Sequence, residues 1–151
     1  MKVILLLSIL LVSSLSYGKE LSFDKYLSSF TYEERKNMKI SYMDLVQLLE
    51  EGKVQIVDIR FKEEFALWSI RDSINIPINE LPSKLNKLDK NKLIVTVCPH
   101  LDRAALARHF LKLKGFNVKY LKDGLITLMD REMRGDDAKD LYNTLKKRNK
   151  K

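Results

Sequence analysis

This 151-residue chain contains one cysteine, Cys98, so an internal disulfide is excluded. It has only three prolines and five glycines, shows no internal repeat, and is low in complexity only at the basic end Lys146 to Lys151. It has two histidines, His100 and His109, and with Cys98 they do not assemble the four ligands of a structural zinc site. Apolar runs are equally scarce. Val3 to Val12 is the longest, it falls short of the roughly 20 residues that span a bilayer comfortably, and no second run of spanning length follows. Lys and Arg number 28 against 20 Asp and Glu, a formal net charge of +8. The basic residues are dispersed apart from the terminal KKRNKK, which reads as a solvated end with at most loose attraction to an anionic surface.

The N-terminus carries an address. Lys2 is a positive start, VILLLSILLV an apolar centre, and Ser16 and Gly18 are small residues at the spacing a signal peptidase reads. Cleavage before Lys19 is expected, with retention as an anchor as the alternative. The expected divisions are a signal peptide over 1–18, an N-terminal arm over 19–39, one domain over 40–134 and a basic tail over 135–151. The expected location is outside the cytoplasm, in a bacterial periplasm. Nucleic acid is an unexpected partner there despite the positive charge, and no stable membrane insertion is expected after cleavage. A lone thiol in an oxidising compartment is open to intermolecular pairing, so its presence points to a use; a buried inert cysteine is the alternative.

Hydrophobic patterning supplies the architecture. Thr31 with Glu34 has capping-box spacing, predicting a short helix from Tyr32 in an arm that packs against the domain. Ser41 with Asp44 starts another, carrying Met43, Val46, Leu48 and Leu49 until Gly52 ends it. Val54 to Ile59 reads as a strand, Phe61 to Leu67 as a helix with Phe65 and Leu67 facing in, and Ile74 to Ile76 as a brief strand before Pro77. Leu81 to Leu88 reads as a helical segment and Leu93 to Val97 as a β-branched strand buried on both faces. Then come a long helix from Asp102 with Ala105, Leu106, Phe110 and Leu113 at helical spacing, a strand over Val118 to Leu121, and a last helix after Gly124. Strands alternating with helices on short connections predict an α/β fold, a doubly wound parallel sheet with helices on both faces. Ligands of such sheets bind beyond the carboxyl ends of the strands, where Cys98 falls. Backbone N–H groups, a helix dipole and Arg103 would converge on its sulfur and favour a thiolate or another anion.

Three stretches resemble the rhodanese-like family. VDIRFKEEFALWSIRDSINIP is similar to its Asp-x-Arg opening, Glu-Glu-Tyr and Ile-Asn-Ile-Pro elements. IVTVCPHLDRAALARHFLKLKGFNVKYL is similar to its active-site strand, loop and helix, and DGLITL stands in place of its Gly-Gly-x-x-x-Trp segment. The resemblance runs from about Ile40 to Met129. It implies a sulfurtransferase that moves a sulfane sulfur through a persulfide on Cys98, with no metal or organic cofactor. Its partners would be a small sulfur donor and a thiol acceptor or protein sulfur carrier. Cys98 falls on the family nucleophile, and Pro99, His100, Leu101, Asp102, Arg103 and Ala104 form the substrate-binding loop, with Asp58 and Arg60 in support. The spacing from Cys98 to Arg103 is the short form of the loop; a loop one residue longer would suit phosphate. A binding module without catalysis and a reactive-sulfur sensor or carrier are the other readings.

The departures from the family concern the loop more than the fold. Leu101 stands where the family usually has Gly, Ala104 where it often has Ser, and Leu128 where its final Trp falls. Asp102 puts a carboxylate in a loop that should hold an anion: it is either a cap or ion pair facing outward, or a source of repulsion against dianionic donors that raises the Cys98 pKa. The Asp58–Arg60 pair reads as a structural ion pair, Trp68 as packing near the site rim, and His100 as an exposed loop residue. In Ser69 to Ser73, Asp72 is the residue able to take a left-handed turn.

Overall fold

The computed structural model describes residues 21–148; the expected signal peptide lies outside the described residues. Five short strands, β1 (Lys39–Ile40), β2 (Val54–Asp58), β3 (Ile74–Asn75), β4 (Leu93–Val97) and β5 (Val118–Leu121), form one parallel sheet in the order β1-β5-β4-β2-β3. Helices α1 (Phe23–Ser28), α2 (Tyr32–Asn37), α3 (Tyr42–Glu50), α4 (Lys62–Leu67), α5 (Asp102–Leu113), α6 (Gly124–Glu132) and α7 (Gly135–Arg148) surround it. The predicted doubly wound α/β fold is what forms.

The central strand has no polar face because both of its faces are covered. Ile94 and Cys98 point into a core with Val57, Ile59, Ala104, Ala107 and Leu111, whereas Val95 and Val97 point into one with Ile40, Leu45, Leu49, Ile56, Leu121 and Leu125. Thr96 shares the first face, where its Oγ1 donates to the Ala104 carbonyl at 2.9 Å. Strand period alone therefore places Cys98 under α5.

Helix starts follow the expected chemistry. Thr31 Oγ1 accepts from the Glu34 N–H at 3.1 Å, and Ser41 Oγ from that of Asp44 at 3.2 Å. Asp72 does take the left-handed conformation, at φ 67°. Other expectations need correction. Met43 and Leu67 are exposed, Phe65 only half-buried, and Leu81 to Leu88 makes two short 3-10 turns instead of a helix. The buried stripe of α5 is Ala104, Ala107, Arg108 and Leu111, and Leu106 faces solvent. Small residues there let the helix sit close to β4, while Phe110 and Leu113 turn toward the arm. Residues 135–148, read as tail, continue as α7, which packs on α3.

The arm is fastened by a contact that hydrophobic patterning did not reveal. Arg108 is buried, its Nη1 donates to the Tyr26 hydroxyl at 2.6 Å, and its Nη2 pairs with Glu34. Tyr26 is itself buried and donates to the same carboxylate at 2.9 Å. Burial opposes the charge on Glu34, but its bonds from Arg108 and Tyr26 prevail and hold its pKa below the ordinary value. Removing one partner of such a pair strands the other. Arg108→Ala should therefore lower stability by about 3 kcal/mol in denaturant titration and open the arm to proteolysis near Phe30; a variant as stable and as resistant as the parent would make the contact incidental.

Candidate active site

Three connections meet at the carboxyl edge of the sheet: the turn after β2, the loop Cys98–Leu101 after β4, and the turn after β5. The last supports the loop. The Leu125 N–H donates to the Cys98 carbonyl at 2.9 Å and the Ile126 N–H to that of Pro99 at 3.2 Å. The first turn of α6 thus spends its unpaired donors on the loop carbonyls. Asp123 and Gly124 both have positive φ, 68° and 74°, which brings the chain in close. A Cβ on Gly124 would overlap the carbonyl oxygens of Pro99 and His100. Glycine is required there by both conformation and space.

With its carbonyls turned to α6, the loop turns N–H groups to the sulfur. Cys98 is fully buried, and its Sγ accepts from the Ala104 N–H at 3.4 Å, with the His100 N–H also favouring negative charge on it. Leu101 sits at φ −147° and ψ −22°, outside the left-handed region, so this position does not demand the family's glycine. Pro99 is half-buried, while His100 and Leu101 are exposed.

The electrostatics differ from the expectation that this site favours a thiolate. The Cys98 pKa lies above the ordinary thiol value: burial is the largest cause, the Ala104 N–H opposes it, and the Asp102 carboxylate adds to it. Asp102 is exposed but does not stand at the cap position, which is Leu101. It occupies the first helical position, and Cys98 Sγ donates to its Oδ1 at 3.8 Å.

Arg103 is also placed differently from expectation. Instead of directing its charge at the sulfur alone, it forms a bidentate pair with Glu64, Nη1 to Oε2 at 2.7 Å and Nη2 to Oε1 at 2.9 Å. That pairing raises the Arg103 pKa and, aided by the Phe61 N–H, brings the Glu64 carboxyl down to about 2. Sequence reasoning did not single out Glu64, although it lies in the Glu-Glu element that carried the resemblance.

Asp58 and Arg60 do not join Cys98. Asp58 pairs in register with Val97 and faces that residue's side of the sheet. Arg60 is buried against it with Nη2 to Oδ2 at 2.7 Å, donates to the Trp68 carbonyl at 2.7 Å, and lies 4.0 Å over the indole. This pair ties β2 to the Trp68 turn and acts on the site only by fixing the edge it stands on. His109 faces the Tyr26 ring instead of Cys98. Among the described residues, no three His, Cys, Asp or Glu side chains converge as metal ligands.

Comparison with known proteins agrees with this geometry. The Rhodanese-like domain family matches residues 41–126. The chain is 33% identical over 85 residues to the thiosulfate sulfurtransferase GlpE of Shewanella oneidensis, covering 56% of this chain and 84% of that protein. It is 35% identical over 89 residues to an HTH-type transcriptional regulator of Mycobacterium tuberculosis, covering 58% of this chain but only 39% of that one. Among solved structures, a rhodanese-related protein of Thermoplasma volcanium superposes with TM-score 0.57 at 32% identity, covering 61% of this chain and 90% of that chain.

The close approach at Gly124 makes a direct test of how the loop is held. Gly124→Ala combines a left-handed alanine with an overlap against two carbonyls, so a stability loss of about 3 kcal/mol or more is expected, with a displaced loop. An unchanged melting temperature and unchanged Cys98 reactivity would refute the support assigned to α6.

Proposed function

Because the chain belongs to the rhodanese-like domain family, we propose that it is a sulfurtransferase working through a persulfide on Cys98. The observation that carries this reading is the position of the chain's lone thiol at a strand-to-helix turn, with the Ala104 N–H on its Sγ. Sulfur transfer needs such a place twice. The Cys98 thiolate attacks the outer sulfur of a donor, the donor's S–S bond breaks, and its electron pair leaves with the donor fragment. An acceptor nucleophile then attacks the outer sulfur of Cys98–S–S⁻, and the electron pair of that bond returns to Cys98. No net oxidation occurs, and the Ala104 and His100 N–H groups stabilise negative charge on the cysteine sulfur.

Incubation with a sulfane donor should add one sulfur atom to the intact mass, removable by cyanide or by a thiol. Cys98→Ser should lose both the mass shift and the turnover with the fold preserved, and turnover retained in that variant would sink the reading. The full burial of the thiol and the commitment of Arg103 to Glu64 favour a second reading, a module that binds a protein partner and transfers no sulfur. Absence of any mass shift in the parent protein would select it.

We also propose export. Lys2, the apolar run Val3 to Val12 and the small residues Ser16 and Gly18 support it. N-terminal sequencing of protein from its native cells should begin near Lys19 in an extracytoplasmic fraction; an intact Met1 in the cytosol would refute it.

A further inference from the structure

We propose that Asp102 is the proton acceptor for the Cys98 thiol and that its carboxylate directs the site toward an uncharged organic persulfide, R–S–SH, over dianionic thiosulfate. The inference deepens the sulfurtransferase reading and rests on it.

Four observations converge. Cys98 Sγ lies between a donor and an acceptor: the Ala104 N–H points at it from 3.4 Å, and its own S–H points at Asp102 Oδ1, 3.8 Å away. The thiol proton therefore has an assigned destination inside the site. Arg103, which would otherwise welcome an anion, has both terminal nitrogens on Glu64, so its charge is already compensated by a carboxylate. Asp102 stands as a negative charge beside the sulfur, and a dianion approaching Cys98 meets it at short range. The rim offers apolar contact instead. Leu101, Phe61 and Ile126 are all exposed; Leu101 lies in the loop, Phe61 beneath the Arg103 guanidinium, and Ile126 on the N–H that holds Pro99. An organic R group has somewhere to rest that a sulfonate does not.

The step balances without a further reactant. The Sγ electron pair attacks the terminal sulfur of R–S–SH while the Cys98 proton passes to Asp102 Oδ1. The donor's S–S bond breaks, and its electron pair leaves as RS⁻. Asp102 then returns the proton to that leaving group, giving Cys98–S–SH and R–SH with the carboxylate restored. A thiosulfate donor meets the ionised Asp102 carboxylate on its approach, and it releases sulfite, a weaker base than a thiolate that gains less from this proton.

The test is the rate of single-sulfur addition to Cys98, followed by intact mass, with thiosulfate and with an alkyl hydropersulfide as the two donors, at a pH acidic enough to keep the hydropersulfide in its uncharged R–S–SH form. The parent protein should load faster from the persulfide. Asp102→Asn, which keeps shape and removes charge, should slow persulfide loading and leave thiosulfate loading equal or faster, so that the ratio of the two rates falls about 10-fold or more. Asp102→Ser should move the ratio the same way, separating the effect from any local change in the helix start. A parent protein that prefers thiosulfate, or a ratio unchanged in both variants, would overturn the assignment to Asp102 while leaving sulfur transfer intact. A parent protein that loads from neither donor would overturn the sulfurtransferase reading and this inference together.

Discussion

The site depends on one close approach, that of the β5–α6 turn to the loop after β4. Two successive residues in the left-handed region, Asp123 and Gly124, drive the start of α6 under the loop until only a hydrogen atom fits between Gly124 and the carbonyls of Pro99 and His100. The first N–H groups of α6 then find their partners in the Cys98 and Pro99 carbonyls. A peptide unit cannot present both of its poles to one side. Once the carbonyls are claimed from below, the opposite side of the loop is left with N–H groups, and the sulfur sits there. The sheet sets where the cysteine is, and the α6 start sets what it feels.

Charge is arranged in layers around that sulfur. Glu64 is held by the Phe61 N–H at the start of a six-residue helix too short to bury much of anything, and its work is to meet Arg103. Arg103 in turn lies one residue after Asp102, which faces the thiol. Placing a carboxylate on each side of the guanidinium offsets the attraction that the short loop would otherwise exert on any anion. Burial and Asp102 both raise the Cys98 pKa and so favour the thiol over the thiolate, while the Ala104 and His100 N–H groups oppose them.

How far the sequence disclosed this follows from the physics of each element. The sheet was legible because β-branched runs and their alternation report burial directly: Ile94, Thr96 and Cys98 against Val95 and Val97 is a pattern with one solution. The α5 face was not, because Ala104 and Ala107 carry too little hydrophobicity to outweigh Leu106 and Phe110, yet close packing against β4 requires small residues there. The position of Cys98 was legible from its strand-to-helix context. The commitment of Arg103 was not, since it depends on Glu64, 39 positions earlier in the chain, and the direction of Asp102 was not, since a carboxylate at a helix start can equally face solvent. A side chain three residues from a helix start reads locally as a cap, and Glu64 is one, but it also reaches across the fold.

Glu34 shows the same double use at the other end of the chain, and the parallel bears on how the arm relates to the site. Its backbone N–H completes the cap at Thr31 while its carboxylate leaves the local box to hold Arg108. Arg108 lies on α5 one turn after Ala104, whose N–H is the donor on Cys98 Sγ. The helix that presents this donor is therefore pinned at its start by Thr96 and, a turn later, by the arm through Tyr26 and Glu34. A donor can stabilise charge on a sulfur only if it is already aimed when the charge appears. The arm, which lies outside the stretch matched by the family, reaches that requirement by holding α5 through Arg108.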